Sequence, residues 1–146
     1  MSEEITKDRA SLAIEYHDKG YNCCQSVCCA FKDKVDLGEE TLFRITEGLG
    51  LGMGCMEGTC GAISAAAVLA GLKHSTANTE KPNSKAVTYK ASKACLTAFK
   101  EQNGTVICRE LKGLDTPDKK PIRSCPDCIR DAARIIEENL FSDSQQ

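Results

Sequence analysis

The segment "CGAISAAAVLAGLKH" most constrains the fold. From about Cys60 to Leu72 it is apolar nearly all round and rich in alanine, the best helix former. A helix without a polar face has to be covered on every side. This segment is therefore expected to be a central, buried helix, with the rest of the chain supplying helices around it.

The flanking sequence has the right periodicity. Residues 4–18 read as an amphipathic helix with Ile5, Leu12 and Tyr16 on one face, ended by Gly20. Asn22 can cap "CCQSVCCAFKDK", where Cys24, Val27, Cys28 and Phe31 form one stripe and Cys23 and Cys29 point away from its middle. Gly38 breaks the chain before a short helix in "EETLFRITEG". After the polar loop "STANTEKPNS", the segment "KAVTYKASKACLTAFKEQNG" predicts a helix with Val87, Ala91, Ala94, Cys95 and Ala98 inward. A short helical turn in "TVICRELKG" and a loop with two prolines follow. In "PDCIRDAARIIEENL", Ile129, Ala132, Ala133, Ile136 and Leu140 recur at helical spacing, with Pro126 at the first position and Ser124 or Cys125 as cap. The expectation is an all-α fold: one compact domain over residues 1–146, of five to seven helices.

Composition narrows the function. With 19 basic and 21 acidic residues, the net charge of -2 gives no electrostatic footprint for nucleic acid or an anionic membrane. No apolar window is long enough to span a bilayer, and "MSEEITKDRASL" has no secretory h-region, so a cytoplasmic location is expected. In that reducing setting, ten cysteines in 146 residues argue for metal binding or thiol redox chemistry over structural bridges.

The stretch "GLGLGMGCMEGTCGA" has a glycine at every second position from Gly48 to Gly54. It is similar in outline to a dinucleotide fingerprint, but no strand precedes it and no Gly-Lys-Ser/Thr follows. A thiol collar is the stronger reading. Cys60 falls at the N-terminus of the central helix, where unpaired N–H groups and the dipole favour thiolate. Gly52, Gly54, Gly58 and Gly61 let the backbone approach a cofactor and turn N–H groups towards sulfur.

"CPDC" at 125–128 adds a C-x-x-C pair at a helix start, open among redox dithiol, zinc half-site and cluster half-site. Candidate redox thiols are Cys55, Cys60, Cys125 and Cys128, paired as Cys125–Cys128 or Cys55–Cys60. Cys24, Cys28 and Cys95 lie on apolar faces and read as core. His17 and His74 read as surface residues.

Together "GYNCCQSV", "GLGMGCMEGTCGAISAA", "CRELKG" and "CPDCIRDAARIIEENL" resemble the C_GCAxxG_C_C family of redox-active proteins, over about residues 20–140. By that resemblance Cys23, Cys60, Cys108 and Cys125 are the patterned cysteines. It implies four thiolates around an iron–sulfur cluster or other metal, in an electron carrier or oxidoreductase. Ala65 departs from the pattern where a glycine is common, and Cys24 where a small residue is. A metal-free thiol–disulfide protein and a structural zinc domain are the alternatives. The redox partner and self-association stay open.

Overall fold

The computed structural model describes residues 8–142. Ile5 and the start of the first expected helix lie outside the described residues. The helices are α1 (Arg9–Asp18), α2 (Cys23–Cys29), α3 (Glu39–Thr46), α4 (Gly61–His74), α5 (Lys85–Asn103), α6 (Cys108–Leu111) and α7 (Cys125–Leu140). Single turns of 3-10 helix occupy Lys32–Lys34 and Glu47–Leu49. Among the described residues there is no strand, and the fold is all-α. The one isolated antiparallel bridge among the described residues joins Thr59 to Ile107.

Helix α4 is the centre, as its composition requires. It packs against α2, α5 and α7, while α1 lies against α2 and α7. Ala62, Ile63, Ala65, Ala66, Leu69 and Ala70 are buried on it. The alanines let α2 come close enough for the Cys28 thiol to donate to Ala65 O at 3.8 Å. On α7, Ile129, Ala132, Ala133, Ile136 and Leu140 are all buried, as their spacing predicts. Phe31 and Phe141 stack with ring centres 5.2 Å apart, closing the core where α2 meets the end of α7.

Helix starts follow the capping chemistry. Asn22 and Gln25 form a reciprocal capping box on α2. Ser124 caps α7, so Cys125 is its first residue and Pro126 its second, one place later than expected. Arg123 pairs at 2.9 Å with Asp131, which is 2% exposed and would otherwise be a buried unpaired charge.

Helix α5 departs from its predicted face. Cys95 and Phe99 are buried and Ala91, Leu96 and Ala98 flank them, but Val87 and Ala94 are exposed. The first two turns of α5 run past the core, leaving Val87 55% and Tyr89 66% exposed. Cys24, Cys28 and Cys95 are core residues, as read from the sequence. Cys29 is buried in a smaller cluster with Tyr16 and Leu42.

Asn22→Ala removes the α2 cap and the side-chain bond to Glu47 O at 2.9 Å. Urea denaturation should show a loss of about 1–2 kcal/mol, with the slope of the transition unchanged.

Candidate functional site

Four chain segments are tied together by backbone bonds and one side-chain bond. Across the Thr59–Ile107 bridge, Cys60 N–H donates to Val106 O at 2.6 Å and Cys108 N–H donates to Gly58 O at 2.9 Å. The residues that follow each side of the bridge start α4 and α6, so Cys60 and Cys108 are delivered side by side. The loop after α6 turns at Gly113, which has φ +74° and where a Cβ would strike Lys120 O. It returns so that Ile122 N–H donates to Leu111 O at 2.8 Å, which brings the start of α7 next to α6. Asn22 fastens the start of α2 to the glycine stretch through Glu47 O.

The result is one cavity of about 180 Å³ with Cys23, Cys60, Cys108, Cys125 and Cys128 in its wall. Cys60 is the N-cap of α4, and Cys23, Cys108 and Cys125 are the first residues of α2, α6 and α7. All four patterned cysteines thus stand at helix N-termini, where N–H groups lack intrahelical acceptors. Cys125 is exposed, so the cavity reaches solvent. Cys55 is also exposed, and its thiol donates to Gly52 O at 3.7 Å; it is not part of the cavity wall.

Three of the sulfurs have donors of their own. Leu51 N–H bonds the Cys23 sulfur, a backbone donor supplied by the glycine stretch. The Cys60 sulfur interacts with the Cys128 thiol, which also lies 4.0 Å from Arg123 O, and accepts from the N–H groups of Ala62 and Ile63. Lys112 Nζ donates to Cys125 Sγ at 3.3 Å. Lys112 lies four residues after Cys108, on the same side of that helical turn.

These contacts divide the thiols. The Cys128 hydrogen bond, then the two N–H groups and the Lys112 charge, outweigh burial and lower Cys60 from 9.0 to about 7. The proton between the two sulfurs stays with Cys128, which the same hydrogen bond and burial hold far above the ordinary thiol range. Burial pushes Cys23 up to about 11 against the Leu51 N–H, and raises Cys108 against the Lys112 charge. Burial alone would lower Lys112, but the Cys125 contact and the surrounding sulfurs raise it and keep it cationic.

The glycines have distinct parts. A Cβ at Gly61 would strike Cys23 Sγ, and one at Gly52 would strike the Cys108 side chain. Gly58 packs under Met53, while Gly54 has φ +79° and would bring a Cβ only to 4.0 Å from Gly48 O. Leu51, Met53 and Met56 also have positive φ, at 54°, 65° and 66°. Such conformations cost about 1–3 kcal/mol each for non-glycine residues. The stretch does not form the strand–turn–helix of a nucleotide loop.

Two cavity residues have no signal in the sequence. His17, which reads as a surface residue, is half-buried in the cavity wall, with Nδ1 3.3 Å from Tyr21 O. That contact is a hydrogen bond when Nδ1 carries the proton, leaving Nε2 as an acceptor. Lys112 lies in the quoted "CRELKG", but only the returning loop reveals its partner. Among the described residues, no group of three or more His, Cys, Asp or Glu side chains is gathered to hold a single metal ion. No helix among them is long and apolar enough to cross a membrane.

Fold and site define a class: an all-helical, cysteine-rich protein with five of its ten cysteines collected around one cavity. Residues 21–139 match the family model described as "Putative redox-active protein (C_GCAxxG_C_C)", and the chain belongs to that family. No curated protein and no solved structure matches the chain.

In the reduced, metal-free protein, alkylation of Cys60 followed by mass spectrometry should accelerate through a midpoint near pH 7, because a lowered pKa puts the thiolate in the majority above it. Cys128→Ala removes the principal donor and should move that midpoint upward. An unchanged midpoint would show that the sulfur–sulfur bond does not set it.

Proposed function

We propose that this protein is a redox carrier whose Cys23, Cys60, Cys108 and Cys125 hold an iron–sulfur cluster. One observation carries the reading: these four cysteines, each at the start of a helix, line the same cavity. Four thiolates are the usual ligand set for two-iron and four-iron clusters.

The residues present fit such a group. All four proposed donors are sulfur. Sulfurs set around about 180 Å³ leave room between them for an inorganic core. Gly52 and Gly61 keep side chains away from Cys108 and Cys23.

The chain also offsets the charge that four thiolates bring together. Lys112 contributes a full positive charge at Cys125. The N-termini of the long helices α4 and α7 each add roughly half a charge. Donors aimed at ligand sulfurs, from Leu51, Ala62, Ile63 and the Cys128 thiol, stabilise the more negative, reduced state. A bound cluster would accept and release single electrons. Binding has to displace the protons that burial holds on Cys23 and Cys108.

Anaerobic purification should give a coloured protein containing iron and acid-labile sulfide, with absorption at about 300–450 nm. Serine at Cys23, Cys60, Cys108 or Cys125 should lower iron content and colour together, whereas Cys55→Ser should leave both intact. Colourless wild-type protein without iron or sulfide, still so after reconstitution, would reject the reading. Zinc in their place would favour the structural alternative.

Lys112→Met should keep the colour and lower the reduction potential by an amount on the order of tens of millivolts, since a cation that favours the reduced state is lost. Lys112→Arg should restore most of it.

A further inference from the structure

The outer face of α5 carries charge that nothing else in the chain neutralises. Between Glu80 and Glu101 there are five lysines, Lys81, Lys85, Lys90, Lys93 and Lys100, and no acidic residue. All five are exposed, and none forms an ion pair among the described residues. Lys90, Lys93 and Lys100 fall within about 80° of one another around α5, opposite the buried Cys95 and Phe99. Val87 and Tyr89, which run past the core, are exposed on the same helix. Beside them is an open groove of about 370 Å³, with Gly71 and Ser75 at the end of α4 on one side and Pro82, Thr88 and Tyr89 on the other. The loop that walls it is already fixed: Thr76 N–H donates to Ser84 Oγ at 3.1 Å, and Lys81 N–H donates to Asn78 Oδ1 at 3.0 Å.

We propose that this lysine face and the groove beside it are a docking surface for an acidic segment of a partner protein. Carboxylates of the segment lie along Lys90, Lys93 and Lys100, and an apolar side chain enters the groove against Val87 and Tyr89. Charge complementarity selects the partner and the place. The chain has a net charge of -2 although this one segment is wholly basic, so the rest of it carries an excess of acid. An acidic partner is repelled there and drawn only to α5, which gives orientation as well as speed of encounter. A nucleic acid fits less well. No arginine lies between Arg44 and Arg109 to grip phosphate with two parallel bonds, and a phosphate backbone would leave the apolar part of the surface unused.

The surface is separate from the cavity. The groove sits at the far end of α4, about 20 Å along that helix from Cys60. A partner held there leaves the exposed Cys125 uncovered, and docking needs no group in the cavity.

The probe is a displayed library of short random peptides, selected on the full-length protein. The dominant enriched peptides should be acidic and carry an aliphatic or aromatic residue. In fluorescence anisotropy their affinity should fall several-fold as ionic strength rises past about 0.15 M. Lys90→Glu, Lys93→Glu and Lys100→Glu combined, with circular dichroism unchanged, should weaken binding about tenfold or more. The same three changed to Gln should fall between that variant and wild type. Val87→Ser keeps every charge and should cost about threefold, and Cys23→Ser should bind as wild type does. No enrichment, enrichment of neutral or basic peptides, or an enriched class that ignores the lysine substitutions would overturn the proposal. So would a labelled single-stranded oligonucleotide or phosphatidylserine vesicles binding this face more tightly than the peptides. A dimer in sedimentation that the lysine substitutions abolish would give the surface to a second copy of the chain and overturn it too. Since wild type and Cys23→Ser are compared without metal, loss of the cluster reading leaves this result standing.

Discussion

The site depends on a short crossing of two backbone segments. Cys60 N–H to Val106 O and Cys108 N–H to Gly58 O form one antiparallel bridge in an otherwise helical protein. Helix packing alone fixes the position of helices to within the slack of their side chains. Two backbone hydrogen bonds fix it far more tightly, and they are donated by two of the residues that carry sulfur into the cavity. The left-handed turn from Leu51 to Gly54 lies under this crossing: Gly52 packs on Cys108, and Gly58 N–H returns to Gly52 O at 3.1 Å. Its strained residues are held in place by what they touch.

Electrostatics explains why the patterned cysteines all begin helices. Gathering thiolates in a partly buried space is unfavourable unless positive ends face them. A helix N-terminus supplies oriented N–H groups with no mobile side chain to order. Lys112 supplies the one full charge, and the sulfurs around it keep it protonated. The same arrangement separates the thiols by acidity. Cys60 gives up its proton most readily, while burial keeps Cys23 and Cys108 protonated.

Much of this was legible in the sequence because it rests on local rules. The all-round apolar character of α4, the caps at Asn22 and Ser124, and the repeat of Ile129, Ala132, Ala133, Ile136 and Leu140 are each set within a few residues. Helix α5 was harder. Alanine is as stable outside as inside, so Ala94 carried no information about facing. Val87 would mark a core face only if the core reached that far along the helix. The cavity's non-cysteine residues were illegible for another reason. His17 and Lys112 acquire their neighbours through α1 packing and the returning loop after α6, contacts that no periodicity encodes. Cys128 lines the cavity with Cys60 from a different helix, and the C-x-x-C spacing pointed instead along one.

The core thiols have a consequence of their own. Cys24, Cys28 and Cys95 have no exposed surface, away from the cavity that gathers the chemically engaged sulfurs. A reagent reaches them only when the packing around α4 comes apart. Their labelling is therefore a clock for large-scale opening of the bundle, running in the same molecule as the fast chemistry at the cavity. One chain thus carries two sets of identical groups, one reporting on its surroundings and the other on its own integrity.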